Sequence, residues 1–284
     1  MTEIRLFDFE NSRMPSYAHL GKLLRDGQVI RLKNTINTEL IDHIVNDFIT
    51  LYSIVTRAPV SNYWDIKVND LYLDDLMKCW VNMKDTPAFN RLIFSNDLSN
   101  LFQKIFDAQL VSIPTDWILF RIDSNRHSET QFDWHQDYPY NVMTLNTITA
   151  WIPCVSSSIA VNSEENLGGL AFAANQAPSQ LLCYQKYDAV KQGDPNRIRP
   201  VIPPEQIEEF ENARLDVINY EPGDLILFNS TVIHRSLHNF SEWPRLTINF
   251  RVMPLDSQEL RDRDFRIARS RNPDFFDSLG LTKY

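Results

Sequence analysis

The sequence predicts a mainly β protein behind an N-terminal layer of helices, and three observations predict it. Apolar residues in roughly the first hundred positions recur at helical spacing, whereas from about Gln109 they fall into short alternating runs parted by turn residues. A chain of 284 residues, 43% hydrophobic and 12% aromatic, can also fill a sizeable core between two such layers.

Taken in order, "PSYAHLGKLLRDG" reads as a helix stopped by glycine and "QVIRL" as a short strand. "NTELIDHIVNDFITLYSIV" carries a helical apolar stripe behind an Asn-Thr cap, and "DLYLDDLMKCW" and "SNDLSNLFQKIF" continue the helical region. The strands follow as "QLVSI", "WILFRI", "LNTITAWIPCV", "GLAFAA", "QLLCYQ", "LDVINY", "DLILF" and "RLTINFRVM". A segment rich in Pro, Gln and charge interrupts them. It is too long for a hairpin loop and is expected to be an insertion with one short helix, serving either as a lid or as a plain surface excursion. With no internal repeat and no linker, the expectation is one domain over 1–284. It comprises a helical layer at 1–108, a β core at 109–254 with an insertion at 186–214, and a C-terminal tail at 255–284.

The composition excludes several classes of function. A net charge of −9 argues against nucleic acid as the main partner, because neutralising phosphates needs a basic surface. The apolar runs are short or broken, against the roughly 18–20 residues of a membrane span, and the first residues show no secretory pattern, so a cytoplasmic location is expected. Cys79, Cys154 and Cys183 are odd in number and far apart, which suits small buried residues and not disulfides or a zinc cluster.

The chemistry is concentrated in two places. "FDWHQDYPY" sets His135 and Asp137 two positions apart, a spacing that suits a strand end because such residues point to the same side. Alone it is also what an exposed polar pair looks like. A third donor stands in "EPGDLILFNSTVIHRSLHN", where His234 begins the strand after "LILFN", 99 positions beyond His135. Two imidazoles and one carboxylate on one face of an octahedral ion leave three open positions, the arrangement of non-haem Fe(II) oxygenases; satisfied core or surface histidines are the alternative. Eleven residues past His234, "WPRLTINFRVM" puts Arg245, Thr247, Asn249 and Arg251 on one strand face and Leu246, Ile248, Phe250 and Val252 on the other. The polar face either lines a wet cavity, with Arg245 forked onto a carboxylate and Thr247 adding a hydroxyl bond, or is a solvated outer face.

Together His135, Asp137, His234 and Arg245 resemble the iron(II) and 2-oxoglutarate dioxygenases, and the local wording is similar to their phytanoyl-CoA dioxygenase branch. "WHQD" matches its first motif, "TAWIPC" the following strand, "NLGGL" its glycine turn, "GDLILFNSTVIHRSLHN" its second metal motif, and "LRDGQVIRLKN" its N-terminal opening. The resemblance implies a double-stranded β-helix, a cupin-like jelly roll. It implies His135, Asp137 and His234 as iron ligands, and Arg245 as the anchor of the distal carboxylate of 2-oxoglutarate, with Thr247 and Trp151 beside it. No catalytic residue beyond the ligands is implied. The chain departs from the family in "AFAANQAPS", where a Pro-Gly-Ser-His-like turn is usual, which puts that edge of the pocket in doubt. Asp137 is present, which disfavours the family's halogenating variants.

The implied reaction consumes O2 and 2-oxoglutarate, yields succinate and CO2, and most simply hydroxylates an unactivated carbon of a small molecule. Desaturation, cyclisation and epimerisation use the same cofactors, and a non-catalytic ligand-binding member or a cupin enzyme with another metal are the rival readings. Arg251, Asn249 and Arg121 suggest a polar substrate, unless they only pair with surface carboxylates. Trp134 and Tyr138 are candidates for its aromatic wall, or for packing at a barrel mouth.

Overall fold

The computed structural model describes residues 3–127, 131–140, 144–159, 166–175, 181–182, 184–186, 200–202, 204–262, 264–265 and 282–283. Cys183, residues 187–199 and 203 of the 186–214 insertion, the end of "AFAANQAPS" and most of the tail lie outside the described residues.

Strand β1 (Leu6–Glu10) precedes helix α1 (Tyr17–Arg25), whose N-cap Ser16 accepts from the His19 amide. After β2 (Val29–Lys33), Asn37 caps α2 (Thr38–Thr56) by accepting from the Glu39 amide. Helices α3 (Leu73–Met83), α4 (Pro87–Ile93) and α5 (Asn96–Phe106) complete the layer. Of these, α4 starts on a proline at its first turn, a position where the missing N–H is harmless. Then come β3 (Val111–Ser112), β4 (Leu119–Asp123), the short α6 (Asp137–Tyr140), β5 (Ile148–Pro153), β6 (Leu170–Ala173), β7 (Tyr184–Lys186) and β8 (Pro200–Val201). Helix α7 (Pro204–Asn212), β9 (Arg214–Val217), β10 (Leu225–Asn229), β11 (His234–Ser236), β12 (Arg245–Pro254), α8 (Gln258–Asp262) and β13 (Thr282–Lys283) follow.

The larger sheet runs β1-β2-β10-β5-β12-β3, with β4 on the same edge of β12 as β3. Its pairs are antiparallel except β1 with β2. A second sheet has the order β11-β6-β9, and β13-β7-β8 form a third. Among the described residues the sheets do not close into a barrel.

Alternation along the central strands assigns each face of the large sheet. Phe120 and Ile122, Ile148, Ala150 and Ile152, Leu225 and Leu227, and Leu246, Ile248, Phe250 and Val252 join the core under the helices. There Phe48 and Phe89 meet Phe120 at ring distances of 5.8 and 6.2 Å, and Phe102 meets Phe250 at 6.0 Å. Each such ring contributes about 1.5–3 kcal/mol on burial, so these contacts hold the helical layer to the sheet. The other face carries Arg121 and Asp123, Thr149 and Trp151, Phe228, and Asn249 and Arg251, which look into a cavity bounded on its far side by Leu170, His234 and Ser236 of the second sheet. No helix among the described residues is long and apolar enough to cross a membrane.

Candidate metal centre and its cavity

The backbone brings the two histidines together. His135 and His234 form an isolated antiparallel bridge in which each amide donates to the other's carbonyl at 2.9 Å, and their rings lie 4.3 Å apart. Asp137 then reaches the pair from the first residue of α6, not from a strand as the two-residue spacing suggested. Gln136 explains the change of course: its side-chain amide donates to the Thr231 carbonyl at 2.5 Å and its oxygen accepts from the Leu182 amide at 3.0 Å, which turns it away from the donors. The Tyr138 amide bonds the Ser230 carbonyl at 2.9 Å and fixes the start of the helix.

One ligand atom from each of His135, Asp137 and His234 lies within 4.8 Å of the others, and all three residues are buried. Each histidine has its Nδ1 on a backbone carbonyl, Asp133 at 2.6 Å for His135 and Val232 at 3.0 Å for His234. A carbonyl only accepts, so Nδ1 carries the proton and the neutral ring presents the lone pair of Nε2. Those Nε2 atoms stand 3.7 and 3.9 Å from the Asp137 carboxylate, too far for a hydrogen bond and close enough for one ion to bridge. Burial, with His135 alongside, pushes His234 down to about 3, so it stays neutral and able to ligate at physiological pH. Burial works against the charged form of Asp137 too. The Arg251 guanidinium outweighs it and holds the carboxyl well below the usual range. The donor set thus fits a divalent transition metal: two neutral imidazoles with fixed tautomers and one permanent carboxylate.

Asp137 is further held by Thr149, whose hydroxyl donates to Oδ2 at 2.7 Å, and by Arg251, whose Nε and Nη2 donate to Oδ2 at 3.1 Å and Oδ1 at 2.5 Å. Asn249 accepts from Nη1 of Arg251 at 3.0 Å. Arg251 and Asn249, expected from sequence as substrate contacts, both line the cavity, where the arginine also holds the Asp137 carboxylate and the asparagine holds the arginine. Thr149 was missed, although the alternation Thr147, Thr149, Trp151 against Ile148, Ala150, Ile152 was there to be read.

Arg245 lies one layer behind the cavity wall. Its Nη2 donates to Asp123 at 3.0 Å and its Nη1 to the carbonyls of Leu167 and Leu237 at 2.9 and 3.0 Å, with 1% of the residue exposed. The glycine turn lies against it. Gly168 has φ +72°, and a Cβ there would stand 2.4 Å from the His238 carbonyl and 2.5 Å from Nη1 of Arg245, so no larger residue fits. Asp123 itself lines the cavity and also accepts from Arg121 at 2.6 Å. Thr247 is fully buried, and its hydroxyl has no hydrogen-bond partner among the described residues. Trp151 lines the cavity and packs edge-on against Tyr220 at 5.1 Å.

Trp134 and Tyr138 are not part of the cavity wall. The Trp134 indole donates to Glu211 of α7 at 2.8 Å and packs on Phe210, because its position next to His135 alternates it to the opposite side; the Tyr138 hydroxyl donates to Glu259 at 3.1 Å. The cavity, about 180 Å³, is also lined by Phe132, Trp117, Leu119, Asp116 and Arg121, none of which except Arg121 was singled out from sequence.

No family model matches the chain, and no curated protein sequence matches it. Solved structures do resemble it. EvdMO1 is 17% identical with a TM-score of 0.55 over 86% of this chain and 51% of that one. EctD from S. alaskensis with 2-oxoglutarate and 5-hydroxyectoine is 13% identical with a TM-score of 0.52 over 84% and 75%. The non-heme monooxygenase ThoJ–Ni complex is 12% identical with a TM-score of 0.51 over 88% and 79%. At these identities the likeness is one of fold, and it supports the expected class, a mainly β jelly roll with N-terminal helices.

Proposed function

We propose that residues 1–284 form one oxygenase domain that uses iron(II), 2-oxoglutarate and O2 to oxidise a small metabolite, hydroxylation of an unactivated carbon being the simplest outcome. The carrying observation is the donor set: His135, Asp137 and His234 have ligand atoms within 4.8 Å, and both histidines are locked in one tautomer by backbone carbonyls. Iron bound there supplies the activation of O2 coupled to oxidative decarboxylation of 2-oxoglutarate to succinate and CO2. The chain's share is to hold the ion, orient two organic ligands and keep water from the reacting centre. The EctD structure holds 2-oxoglutarate and ThoJ is a non-heme monooxygenase, which supports the same chemistry here. The sequence resemblance narrows this reading to the phytanoyl-CoA dioxygenase branch.

In this reading Arg245 and Thr247 take the distal carboxylate of 2-oxoglutarate, with Trp151 beside them. The hydroxyl of Thr247 and Nε of Arg245 are buried and lack partners among the described residues, as groups reserved for a ligand would. Asp123 then gives up its bond to Arg245 and keeps that to Arg121. A second reading is favoured by the wall itself: Arg121 lines the cavity and Arg245 does not, so Arg121 serves as the anion anchor. The cavity volume, below the ~300–1,000 Å³ usual for drug-sized ligands, suits the cosubstrate together with a small polar substrate or the end of a larger one.

Anaerobic titration with Fe(II) and then 2-oxoglutarate tests the proposal through the weak visible charge-transfer band of a chelated keto acid. The band is expected in wild type, absent in His135→Ala, and weakened by Arg245→Ala more than by Arg121→Ala; the reverse order favours the second reading. No band in folded wild type removes the oxygenase assignment. Oxygen-dependent succinate formation separates an enzyme from a ligand-binding member, and product mass separates hydroxylation from desaturation, cyclisation or epimerisation.

A further inference from the structure

Asp137 is the anionic member of the donor set, and it sits in a seat built by a single cross-strand pair. Arg251 of β12 and Thr149 of β5 are opposite one another in the antiparallel register, and both side chains close on the same carboxylate. The guanidinium spans the two oxygens as a fork, and Asn249, two residues back on the same strand face, fixes its remaining arm. The histidine nitrogens lie 3.7 and 3.9 Å away.

We propose that Arg251 is a positioning residue for metal uptake: its two-point hold sets the Asp137 carboxylate toward His135 and His234, so that the site is formed before an ion enters. The inference rests on the reading of these three residues as the metal site and goes beyond it by assigning a role to a cavity arginine that otherwise looks like a substrate contact. It separates geometry from charge. A lysine at 251 keeps the positive charge but grips as a point and loses the fork; a glutamine loses the charge and keeps part of the hydrogen bonding. A role in charge balance alone makes lysine equivalent to arginine and lets glutamine bind a cation more tightly, because a neighbouring positive charge has gone.

The experiment is titration of the metal-free protein with Co(II), followed by its visible d–d absorption, for wild type, Arg251→Lys, Arg251→Gln and His135→Ala, with circular dichroism to verify folding. Positioning predicts that both Arg251 variants bind Co(II) about 10–100-fold more weakly than wild type and show an altered band. Lysine rescue, tighter binding by glutamine, or unchanged affinity in both variants overturns it. Should both Arg251 variants fail to fold, Asn249→Ala reads the same brace: a loss of about 5-fold, the worth of one hydrogen bond, supports the role and no loss overturns it. If wild type takes up no Co(II), or His135→Ala takes it up equally well, the metal reading falls and the role of Arg251 falls with it; a loss confined to Arg251 variants leaves the former intact.

Discussion

Arg245 and Asp123 stand directly opposite each other on β12 and β4 and are joined at 3.0 Å, with both side chains almost wholly buried. Arg121 completes the network from the other side of the carboxylate. Burial disfavours the charged form of Asp123, and the two guanidiniums more than compensate, holding its carboxyl below the ordinary range. Asp123→Asn keeps the shape and removes the anion, leaving two buried cations without their shared partner. It should destabilise the protein by about 3–5 kcal/mol, read as a lower urea midpoint. An unchanged midpoint would show that the network is hydrated in solution.

Thr247→Val is expected to split stability from binding. The hydroxyl is buried and unbonded, so its removal should leave the urea midpoint unchanged or raise it slightly. If the hydroxyl serves the cosubstrate carboxylate, affinity for 2-oxoglutarate should fall about 10-fold, the worth of one bond to a charged acceptor. Equal affinity would remove Thr247 from the cosubstrate site.

Acid should weaken the metal-free protein well above the range of ordinary carboxylates. His234 titrates near 6.5 when unfolded and is lowered to about 3 when folded, so between these values the unfolded chain binds a proton that the folded one refuses. Its contribution is complete above 6.5 and is lost as pH falls toward 3; from pH 7 to pH 5 the loss is about 2 kcal/mol. Asp137, also lowered, adds its loss only as pH falls below the ordinary carboxylate range. Urea melts at both pH values should show this slope in wild type and a smaller one in His234→Gln.

Glu211 ties α7 to both ligand segments. It accepts from the Trp134 indole next to His135 at 2.8 Å and from Arg235 next to His234 at 2.8 Å, while Arg214 bonds it at 3.0 Å. Because the carboxylate is about a third exposed, screening limits its worth; Glu211→Ala should cost about 1–2 kcal/mol in thermal or urea unfolding. A Co(II) affinity that falls along with stability would show that the helix braces the site. Stability alone falling would make it a surface clip.

The alternation in "RLTINFRVM" was enough to separate a core face from a cavity face, because both faces of β12 are buried and only their chemistry differs. His135, Asp137 and His234 stood out only as a set, through the second motif and the family resemblance, because the two-residue spacing alone also fits an exposed polar pair. What escaped was set by partners distant in sequence. Nothing near Arg245 announces Asp123, 122 positions earlier, and nothing in "FDWHQDYPY" tells that Gln136 is stitched to Thr231 and Leu182, which turns the chain from a bridge into α6. Trp134 looked like a pocket aromatic because its neighbour is a ligand; one step along an extended chain puts it on the other side, against Phe210. β1 lacked a signal because its pairing with β2 is parallel and lies at the sheet edge, where none of its five residues is fully buried.

The reciprocal bonds between His135 and His234 join points 99 positions apart, and this gives the site a chronology. A nascent chain that has reached β6 holds one imidazole and one carboxylate with nothing to hold either in place; the second imidazole arrives with β11, and the grip on the carboxylate only with the far half of β12. If these three residues hold an ion, as proposed, it can be seated only once the two sheets face each other.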